Sequence, residues 1–526
     1  MMNRIRLHKG ARRTRAASVR AAGIALLLTV QTVEGQLTPE GIRARVKGQA
    51  VQSIELFREY LGLPNDGHFP EDMDRLLSWL EPAFQKRGFE TERLLTEGNP
   101  LLFAERRVAN PSATVLVYLQ SDGQPVDPQA WDQESPFVAV LKEDDGSGHF
   151  REISWDRLSD YDEDWRIYAR SASDSKGPNI QFLLALDLMA AAGVTPDYDL
   201  KVIVDTMEEM GSPVLPAAIQ TNREMLAADM LIIFDGPPHY SGRPSLKFGA
   251  RGISSFTLTT YGPRVPQHSG HYGNFVPNPG MRLAQILASM KNEDGRVTIP
   301  GFYDGIELND ATRKILDAVP DDRDEVMRRL GIAETDAVGD SLQEAVQWPS
   351  LNIRGLQSGW VGDQVRTILP ATATAEVDVR LVLETDGWRL LGLIEEHIRN
   401  LGYHVISNRD PTDAERQTHG RLARFDARVS YDAFRTDFDS APGRWLSSAF
   451  ARLFGEEPVK IRTSGGSIPI SPFVSTLGIP AVGVPTVNPD NNQHSPNENI
   501  RIGSFLEGIA IATAVLSEPL RPFVRR

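Results

Sequence analysis

The sequence predicts an α/β protein with a mostly parallel central sheet, interrupted by a smaller α+β domain. Continuous apolar strands at residues 113–119, 200–204 and 230–234 alternate with helices, a pattern typical of a parallel sheet buried on both faces. Strands at 253–260 and 372–381 alternate apolar and polar residues instead, which indicates a second sheet with one open face. The chain has 526 residues, which is too many for one hydrophobic core.

The remaining elements follow from local sequence signals. Helices are predicted where apolar residues fill a segment or recur at helical spacing, at residues 38–63, 72–87, 179–192, 280–291, 388–401 and 443–454. Gly177-Pro178 opens one of these helices, and proline is favourable in a first helical turn. A strand at 481–484 precedes a last helix, which we expect to begin at a capping box over residues 504–507.

Changes in pattern predict the domain boundaries. Residues 1–35 combine a basic segment, a short apolar run and small residues, which is the layout of a secretory signal peptide. A basic tail is the alternative interpretation. The rest divides into a first part of the α/β domain (36–247), an inserted α+β domain (248–431) and a second part of the α/β domain (432–526). The signal predicts an exported protein, periplasmic or secreted, with no stable membrane span because the apolar run is short.

Composition limits the chemistry available to the chain. The formal net charge of −14 argues against nucleic acid as a partner. The chain has no cysteine, so disulfides, thiolate metal sites and cysteine nucleophiles are excluded. Any metal ion must be held by His, Asp, Glu or an amide oxygen, and such ligands suit zinc, manganese or cobalt.

The adjacent acids Glu208 and Glu209 follow the predicted strand at 200–204 and precede a Gly-Ser turn. Neighbouring side chains point in different directions there, so one carboxylate can bind a metal ion while the other faces the water that the ion activates. The alternative is a pair of solvated acids at a strand end.

Four further polar segments lie next to predicted strands or helices of the α/β domain, where such sheets bind ligands. They are residues 120–125, residues 171–178, Asp235 and residues 492–498. Each alone has an ordinary explanation as a cap, a turn or a surface loop. Together with the Glu208-Glu209 pair, they predict a carboxylate and histidine site at one edge of one sheet.

Ordered motifs between about residue 45 and residue 520 resemble family 20 of the metallopeptidases, in clan MH. These motifs are YLQSDGQPVDPQAW, ARSASDSKGP, EEMGSP, GRPSLKFGARG, QHSGHYG, RTSGGSIPI and HSPNE. The family comprises zinc exopeptidases and deacylases of the carnosine dipeptidase, glutamate carboxypeptidase and acetylornithine deacetylase type. The chain is most similar to its dipeptidase-like branch. The resemblance implies a zinc-exopeptidase catalytic domain, with residues 248–431 as a lid and dimerisation domain of a homodimer.

The resemblance also implies a role for each site residue. Asp174 would bridge two metal ions, with Glu209 and His494 completing one site and Asp235 serving the other. Glu208 would be the general base. The remaining implied residues are Asp122 as a second active-site acid, His268 for the oxyanion, and Thr367, Arg380 and Ser467 for the substrate carboxylate or carbonyl. Arg380 has the alternative of an ordinary surface salt bridge.

Gln120 departs from the family pattern, because this position is normally a metal-binding histidine. An amide oxygen is a much weaker ligand for zinc than an imidazole. Three outcomes stay open. Gln120 could ligate a harder ion such as manganese, the second site could be weak or empty, or the protein could be a binder without catalysis. The expected cofactor is therefore Zn²⁺, one or two per subunit, with Mn²⁺ or Co²⁺ as alternatives.

These observations predict a metal-dependent hydrolase that cleaves the amide bond of a dipeptide or other small peptide. Its alternatives are a deacylase of N-acyl amino acids and a metal-poor binding protein on the same scaffold. The segment 135–170 is either a surface hairpin or a wall of the substrate pocket.

Overall fold

The computed structural model describes residues 37–520, which form fifteen helices and twenty-one strands. The helices are α1 (Pro39–Gly48), α2 (Ala50–Leu61), α3 (Pro70–Gln85), α4 (Lys176–Ala191), α5 (Leu215–Thr221), α6 (Ser269–Tyr272), α7 (Pro279–Ala288), α8 (Asp310–Asp317), α9 (Arg323–Leu330), α10 (Leu342–Ala345), α11 (Gly387–Asn400), α12 (Asp413–Thr418), α13 (Ala441–Phe454), α14 (Ser471–Leu477) and α15 (Ile502–Leu516).

The strands are short, and several lie in the loops around the two main sheets. They are β1 (Glu90–Leu94), β2 (Leu101–Arg106), β3 (Thr114–Gln120), β4 (Val140–Asp144), β5 (Phe150–Ile153), β6 (Arg166–Tyr168), β7 (Asp199–Asp205), β8 (Met230–Phe234), β9 (Ser245–Lys247), β10 (Gly249–Ala250), β11 (Gly252–Tyr261), β12 (Gln267–His268), β13 (Ser350–Gln357), β14 (Ile368–Leu369), β15 (Thr372–Leu381), β16 (His404–Ile406), β17 (Leu422–Tyr431), β18 (Phe434–Arg435), β19 (Val459–Ile461), β20 (Ala481–Val484) and β21 (Asn499–Arg501).

The large sheet has the strand order β1-β2-β7-β3-β8-β20-β9-β19. Its central strands β7, β3, β8 and β20 are parallel, which confirms the predicted α/β fold with a mostly parallel central sheet. Both faces are covered, since Val117 packs into the core formed with α2, α4, α13 and α15. The next residue, Tyr118, faces a second core, formed with α5 and α14. Burial on both sides explains the continuous apolar runs of these strands.

A five-stranded sheet with the order β13-β15-β11-β17-β16 is built from residues between 252 and 431. Helices α7 and α11 cover one face and form a separate core with alternate strand residues such as Val377 and Val379. Thr372 and Glu376, which point to the other face of β15, are exposed. The alternating sequence of β15 therefore corresponds to a sheet with one covered face.

The segment 135–170 forms a hairpin, in which β4 and β5 pair antiparallel. Strand β6 joins this hairpin to β21, next to the loop that carries His494. Trp165 of this segment is buried in the main core. The hairpin is therefore anchored to the large sheet rather than free at the surface.

Two predicted helix boundaries are wrong. The helix expected over residues 38–63 is divided at Gln49 into α1 and α2. The last helix begins at Ile502, so the expected capping box at residues 504–507 lies inside it. Backbone carbonyls of Trp165 and Glu163 accept the N–H groups of Ile502 and Gly503, and this replaces a side-chain cap. No helix within residues 37–520 is long and apolar enough to cross a membrane.

Candidate active site

The predicted site residues follow the carboxyl ends of three parallel strands. Gln120 is the last residue of β3, and Asp122 lies two residues beyond it. Glu208 and Glu209 form a 3₁₀ turn after β7, and Asp235 directly follows β8. Because β3 lies between β7 and β8 in parallel register, these side chains converge at one edge of the sheet.

Asp122 fixes the backbone that presents the two glutamates. Its Oδ1 accepts the Glu208 N–H at 2.9 Å, and its Oδ2 accepts the Glu209 N–H at 3.0 Å. The side chain of Asp122 is buried. Asp122 therefore orients both glutamates through hydrogen bonds to their main chain.

Asp174 lies in the loop before α4 and is fixed by Glu498, which is 0% exposed. Glu498 Oε1 accepts the backbone N–H groups of Ser173 and Asp174 at 3.0 and 2.9 Å. Its Oε2 accepts Arg170 Nη1 at 2.8 Å and the Ser171 N–H at 2.9 Å. This buried carboxylate organises the loop that carries the central acid of the site, and charge-assisted bonds of this kind are the strong ones.

His494 completes a cluster with Asp174 and Glu209. Its Nε2 lies 3.0 Å from Asp174 Oδ2 and 3.3 Å from Glu209 Oε2. Within the part of the chain that the structure describes, these three form the one group of at least three acid or histidine side chains with converging ligand atoms, all within 4.8 Å of one another. The His494 backbone has a φ of 61°, a left-handed conformation that is uncommon for non-glycine residues.

The pKa shifts of the acids in this cluster favour the binding of a cation. Burial, reinforced by the charge of Asp174, raises the pKa of Glu209 to about 8. The hydrogen bond to Asp174 raises the pKa of His494 to about 9. Burial and the neighbouring acids, Glu209 first among them, raise the pKa of Glu208 well above its ordinary range. A divalent cation would relieve this repulsion between acids, as bound cations invert the local pKa pattern.

Two carboxylates and an imidazole that converge in this way suit a divalent metal such as zinc. Asp174, Glu209 and His494 are therefore the residues that would hold it. Two neighbouring amides contact the same acids, since Gln124 Nε2 donates to Glu209 Oε2 at 2.7 Å and Gln493 Nε2 donates to Asp174 Oδ2 at 3.3 Å.

Gln120 presents its amide nitrogen, not its oxygen, to the acids of the expected second metal site. Its Nε2 lies 3.2 Å from Asp174 Oδ1, 3.2 Å from Asp235 Oδ1 and 2.9 Å from Ser175 Oγ. Its buried Oε1 has no hydrogen-bond partner in the described structure. Only the NH₂ group can donate to these acceptors, so the observed arrangement is that of a donor and not of a metal ligand.

Arg380 and Ser467 meet at the junction between the two main sheets. Arg380 Nη1 donates to Ser467 Oγ at 2.6 Å, and Ser467 Oγ contacts the Gly252 carbonyl at 3.3 Å. Arg380 and Tyr431 pair with the same residue of β11 from opposite sides. Burial raises the pKa of Tyr431; the charge of Glu208 adds to this shift and that of Arg380 opposes it. The salt bridge considered for Arg380 also exists, to Asp378 at 3.4 Å.

His268 and Thr367 lie together but apart from this cluster. They are neighbours through the β12–β14 pair, and the Ser269 N–H donates to the Thr367 carbonyl at 3.2 Å. His268 is exposed, and its Nδ1 accepts the Gly270 N–H. Within residues 37–520, no hydrogen bond or ion pair joins either residue to the acids of the sheet edge.

Sequence reasoning assigned no role to Glu498, although this residue ends the HSPNE motif. A carboxylate with five buried donors around it cannot be recognised from one chain, because its partners come from the distant segment 170–174. Lys247, at the end of β9, was also missed. It ends the three-residue strand Ser-Leu-Lys, which carries no signal for the site.

Comparison with known proteins identifies relatives over most of the chain. The profile of Peptidase family M20/M25/M40 matches residues 122–518. The Cys-Gly metallodipeptidase dug1 of Schizosaccharomyces pombe is 25% identical over 416 residues, which cover 77% of this chain and 79% of that protein. The Beta-Ala-His dipeptidase of Homo sapiens is 23% identical over 488 residues, covering 88% of this chain and 89% of the relative.

A solved structure shares the fold. The M20 family metallo-carboxypeptidase from Sulfolobus solfataricus superposes with a TM-score of 0.73 at 28% identity. The match covers 89% of this chain and 98% of that chain. The resemblance seen in the ordered motifs is therefore confirmed across both main sheets.

The prediction of an exported, periplasmic or secreted protein is wrong by the same comparison. The yeast Cys-Gly metallodipeptidases that match this chain are intracellular enzymes. The predicted signal peptide at residues 1–35 lies outside the described residues. Basic residues followed by an apolar run are compatible with a leader, but the pattern alone does not distinguish one from other N-terminal segments.

Proposed function

We propose, because this chain belongs to peptidase family M20/M25/M40, that it is a metal-dependent dipeptidase. The observation that carries the proposal is the convergence of Asp174, Glu209 and His494 beside Glu208 at the sheet edge. Relatives that match most of the chain are dipeptidases in both yeast and human. The scissile bond would be the amide between two amino acids, with a free carboxylate on the second.

Asp174, Glu209 and His494 would hold the metal ion, which is Zn²⁺, Mn²⁺ or Co²⁺ by the hardness of these ligands. A divalent cation bound there would lower the pKa of a water molecule and polarise the scissile carbonyl. Glu498 would keep Asp174 in place through the main chain of its loop. Asp122 would do the same for the glutamate pair.

Glu208 would act as the general base and then as the general acid. Its turn places it beside Glu209, and its carboxylate is free of the hydrogen bonds that fix the other acids of the site in the described structure. It would take a proton from water and deliver that proton to the leaving amine. Burial and the acids around Glu208 raise its pKa in the metal-free chain. A cation bound beside it would hold the carboxylate ionised, which is the form that can accept a proton.

The substrate carboxylate or carbonyl would be held at the junction of the two sheets. Arg380 supplies a guanidinium fork there, and Ser467 orients it. Arginine recognises carboxylates with two parallel hydrogen bonds, which gives both affinity and direction. This contact would fix which end of a dipeptide faces Glu208.

The lid and dimerisation role of residues 248–431, between the catalytic parts 36–247 and 432–526, is also a proposal. The segment has its own core, and its apolar residues Phe275, Leu356 and Val361 are exposed by 85, 61 and 87%. A partner subunit that covers these side chains would remove large apolar surfaces from water. His268 and Thr367 on this segment would then serve an active site across a homodimer, and light scattering would detect the dimer.

The experiment that tests the proposed function is a hydrolysis screen with the metal controlled. Purified protein, stripped with a chelator and reconstituted with Zn²⁺ or Mn²⁺, is given Cys-Gly, β-Ala-His, other dipeptides and N-acetyl amino acids. We expect hydrolysis of dipeptides that is lost on chelation and restored by metal. Cleavage of only the N-acyl amino acids would favour a deacylase, and metal binding without any hydrolysis would favour a binding protein.

A further inference from the structure

The second metal position, between Asp174 and Asp235, does not fit a metal ion. The Oδ1 atoms of both acids lie within hydrogen-bond distance of Gln120 Nε2 and Ser175 Oγ, which share three hydrogens among these contacts. Gln120 in turn donates to Ser175 Oγ at 2.9 Å. A cation placed there would have to displace both donors and would gain only an amide oxygen in exchange for the imidazole that the family pattern provides.

A lysine ammonium lies close to the same two acids. Lys247 ends β9, and its Nζ is so close to Gly236 that a Cβ on that glycine would come within 3.0 Å of it. Gly236 directly follows Asp235, so the ammonium stands beside the backbone that carries this acid. Burial lowers the pKa of Lys247, and the charges of Asp235 and Asp174 oppose that shift. Within the described residues, the side chain of Lys247 forms no direct ion pair or hydrogen bond with these acids or with any other group, so it influences the acids through its charge and not through contact.

An ammonium buried beside a bound divalent cation would be unfavourable, because the two positive charges would repel at short distance. The charges of Asp174 and Asp235 instead offset part of the cost of burying this ammonium. The lysine is therefore consistent with a site that keeps its acids and has no second ion. The backbone is compatible with this position of Lys247, because Gly236 has a φ of +72° and no side chain that would crowd the Lys247 Nζ.

We propose that Lys247 and Gln120 together replace the second metal ion, so that the protein binds one catalytic metal per chain. The ammonium of Lys247 supplies fixed positive charge, and the amide N–H groups of Gln120 hold Asp174 and Asp235 in the orientation that a metal would otherwise impose. Asp174 then acts as a ligand of one ion instead of a bridge between two. This proposal concerns the same site as the proposed function. It rests on the proposed function only for the identity of the first metal site.

Metal stoichiometry tests this directly and does not depend on catalysis. The full chain is saturated with Zn²⁺, freed of excess ion, and measured by native mass spectrometry and by elemental analysis. We expect one Zn²⁺ per chain. The double variant Gln120→His/Lys247→Ala should bind two, because it restores an imidazole and removes the competing charge. Lys460→Ala, at a surface lysine paired with Glu457, is the matched control and should remain at one.

Two zinc ions per wild-type chain would overturn the proposal. So would one ion in both the wild type and a folded double variant, because Lys247 and Gln120 would then not be what excludes the second ion. If the double variant fails to fold, the Zn²⁺ affinity of the single variant Asp235→Asn tests the proposal instead. The proposal expects its Zn²⁺ affinity to stay within about threefold of wild type, and a loss of a hundredfold or more would contradict it. A protein that binds one ion yet hydrolyses no dipeptide would disprove the proposed function and leave this inference standing.

Discussion

Glu209 and His494 face each other across the candidate metal site, with 3.3 Å between Glu209 Oε2 and His494 Nε2. The same nitrogen lies 3.0 Å from Asp174 Oδ2. In the absence of a cation, a protonated imidazole is what compensates these two acids. A metal ion bound by all three residues must therefore displace a proton from His494, so metal and protons compete for the site.

The metal-free protein should lose stability as the pH rises from about 6 to 9. The pKa of Glu209 is raised from 4.5 to about 8 and that of His494 from 6.5 to about 9. For both groups the folded chain binds the proton more tightly than the unfolded chain. Their contribution to stability is therefore complete below the unfolded values and is lost as the pH rises through the folded ones. Urea midpoints of the chelated protein at each pH unit would measure this loss.

The matched control for this pH dependence is the same titration with saturating Zn²⁺. Metal binding requires deprotonated ligands, so the metal's contribution to stability should grow with pH and reverse the trend. In the chelated protein, the variant His494→Gln should flatten the slope between pH 7 and 9. A chelated wild-type protein whose midpoint rises over that range would contradict the assigned shifts.

Glu209 and Asp235 should differ in their importance for catalysis. Glu209→Ala removes a ligand of the first metal site, and activity on a dipeptide should fall at least a hundredfold. Asp235→Ala removes an acid that accepts hydrogen bonds from Gln120 and Ser175, and we expect a loss of about tenfold or less. The measurement is kcat/KM at saturating metal for each variant. Equal large losses would indicate that two metal ions are required.

Glu498 should control metal affinity without touching the metal. Glu498→Gln replaces one acceptor oxygen with a donor, so either the N–H groups of Ser173 and Asp174 or those of Arg170 and Ser171 lose their acceptor, and the loop can move. We expect the Zn²⁺ affinity to fall about 10- to 100-fold, as for other residues that orient metal ligands. Competition with a fluorescent chelator measures this change. Glu152→Gln, at an exposed strand residue, should leave the affinity unchanged.

Much of the fold could be predicted from the sequence, because strands buried on both faces consist of consecutive apolar residues. Strand β8, for example, matches the predicted apolar run at residues 230–234. The start of α15 could not be predicted, because its first N–H groups are satisfied by the carbonyls of Glu163 and Trp165, which are far away in sequence. The acids at the strand ends were recognisable because parallel strands place them at one edge.

The direction of a side chain was not predictable in the same way. The sequence identified Gln120 as unusual, but only the structure shows that its amide nitrogen faces Asp174 and Asp235. Lys247 was not recognised, because the acids whose charges act on it, Asp174 and Asp235, are distant in the sequence. Interactions between residues that are distant in sequence, and not the strand pattern, decide how these polar groups pair.

Arg380 should matter for substrate affinity more than for turnover. Arg380→Ala removes a charged donor, and charge-assisted hydrogen bonds contribute about 1.5–3 kcal/mol. We expect kcat/KM for a dipeptide to fall about 10- to 100-fold, mainly through a higher KM. Steady-state kinetics provide the measurement. Arg354→Ala, which breaks a long surface pair with Glu376 on the same sheet, should stay within twofold of wild type, and an equal loss there would contradict the assignment.

The most direct test of the account is Glu208→Gln, because this change keeps the shape of the side chain and removes its ability to accept a proton. General-base catalysis contributes about 10²- to 10⁴-fold. We therefore predict that kcat for dipeptide hydrolysis falls by at least a hundredfold while the bound Zn²⁺ per chain stays equal to that of wild type. A variant that retains its metal and hydrolyses dipeptides at close to the wild-type rate would contradict the account.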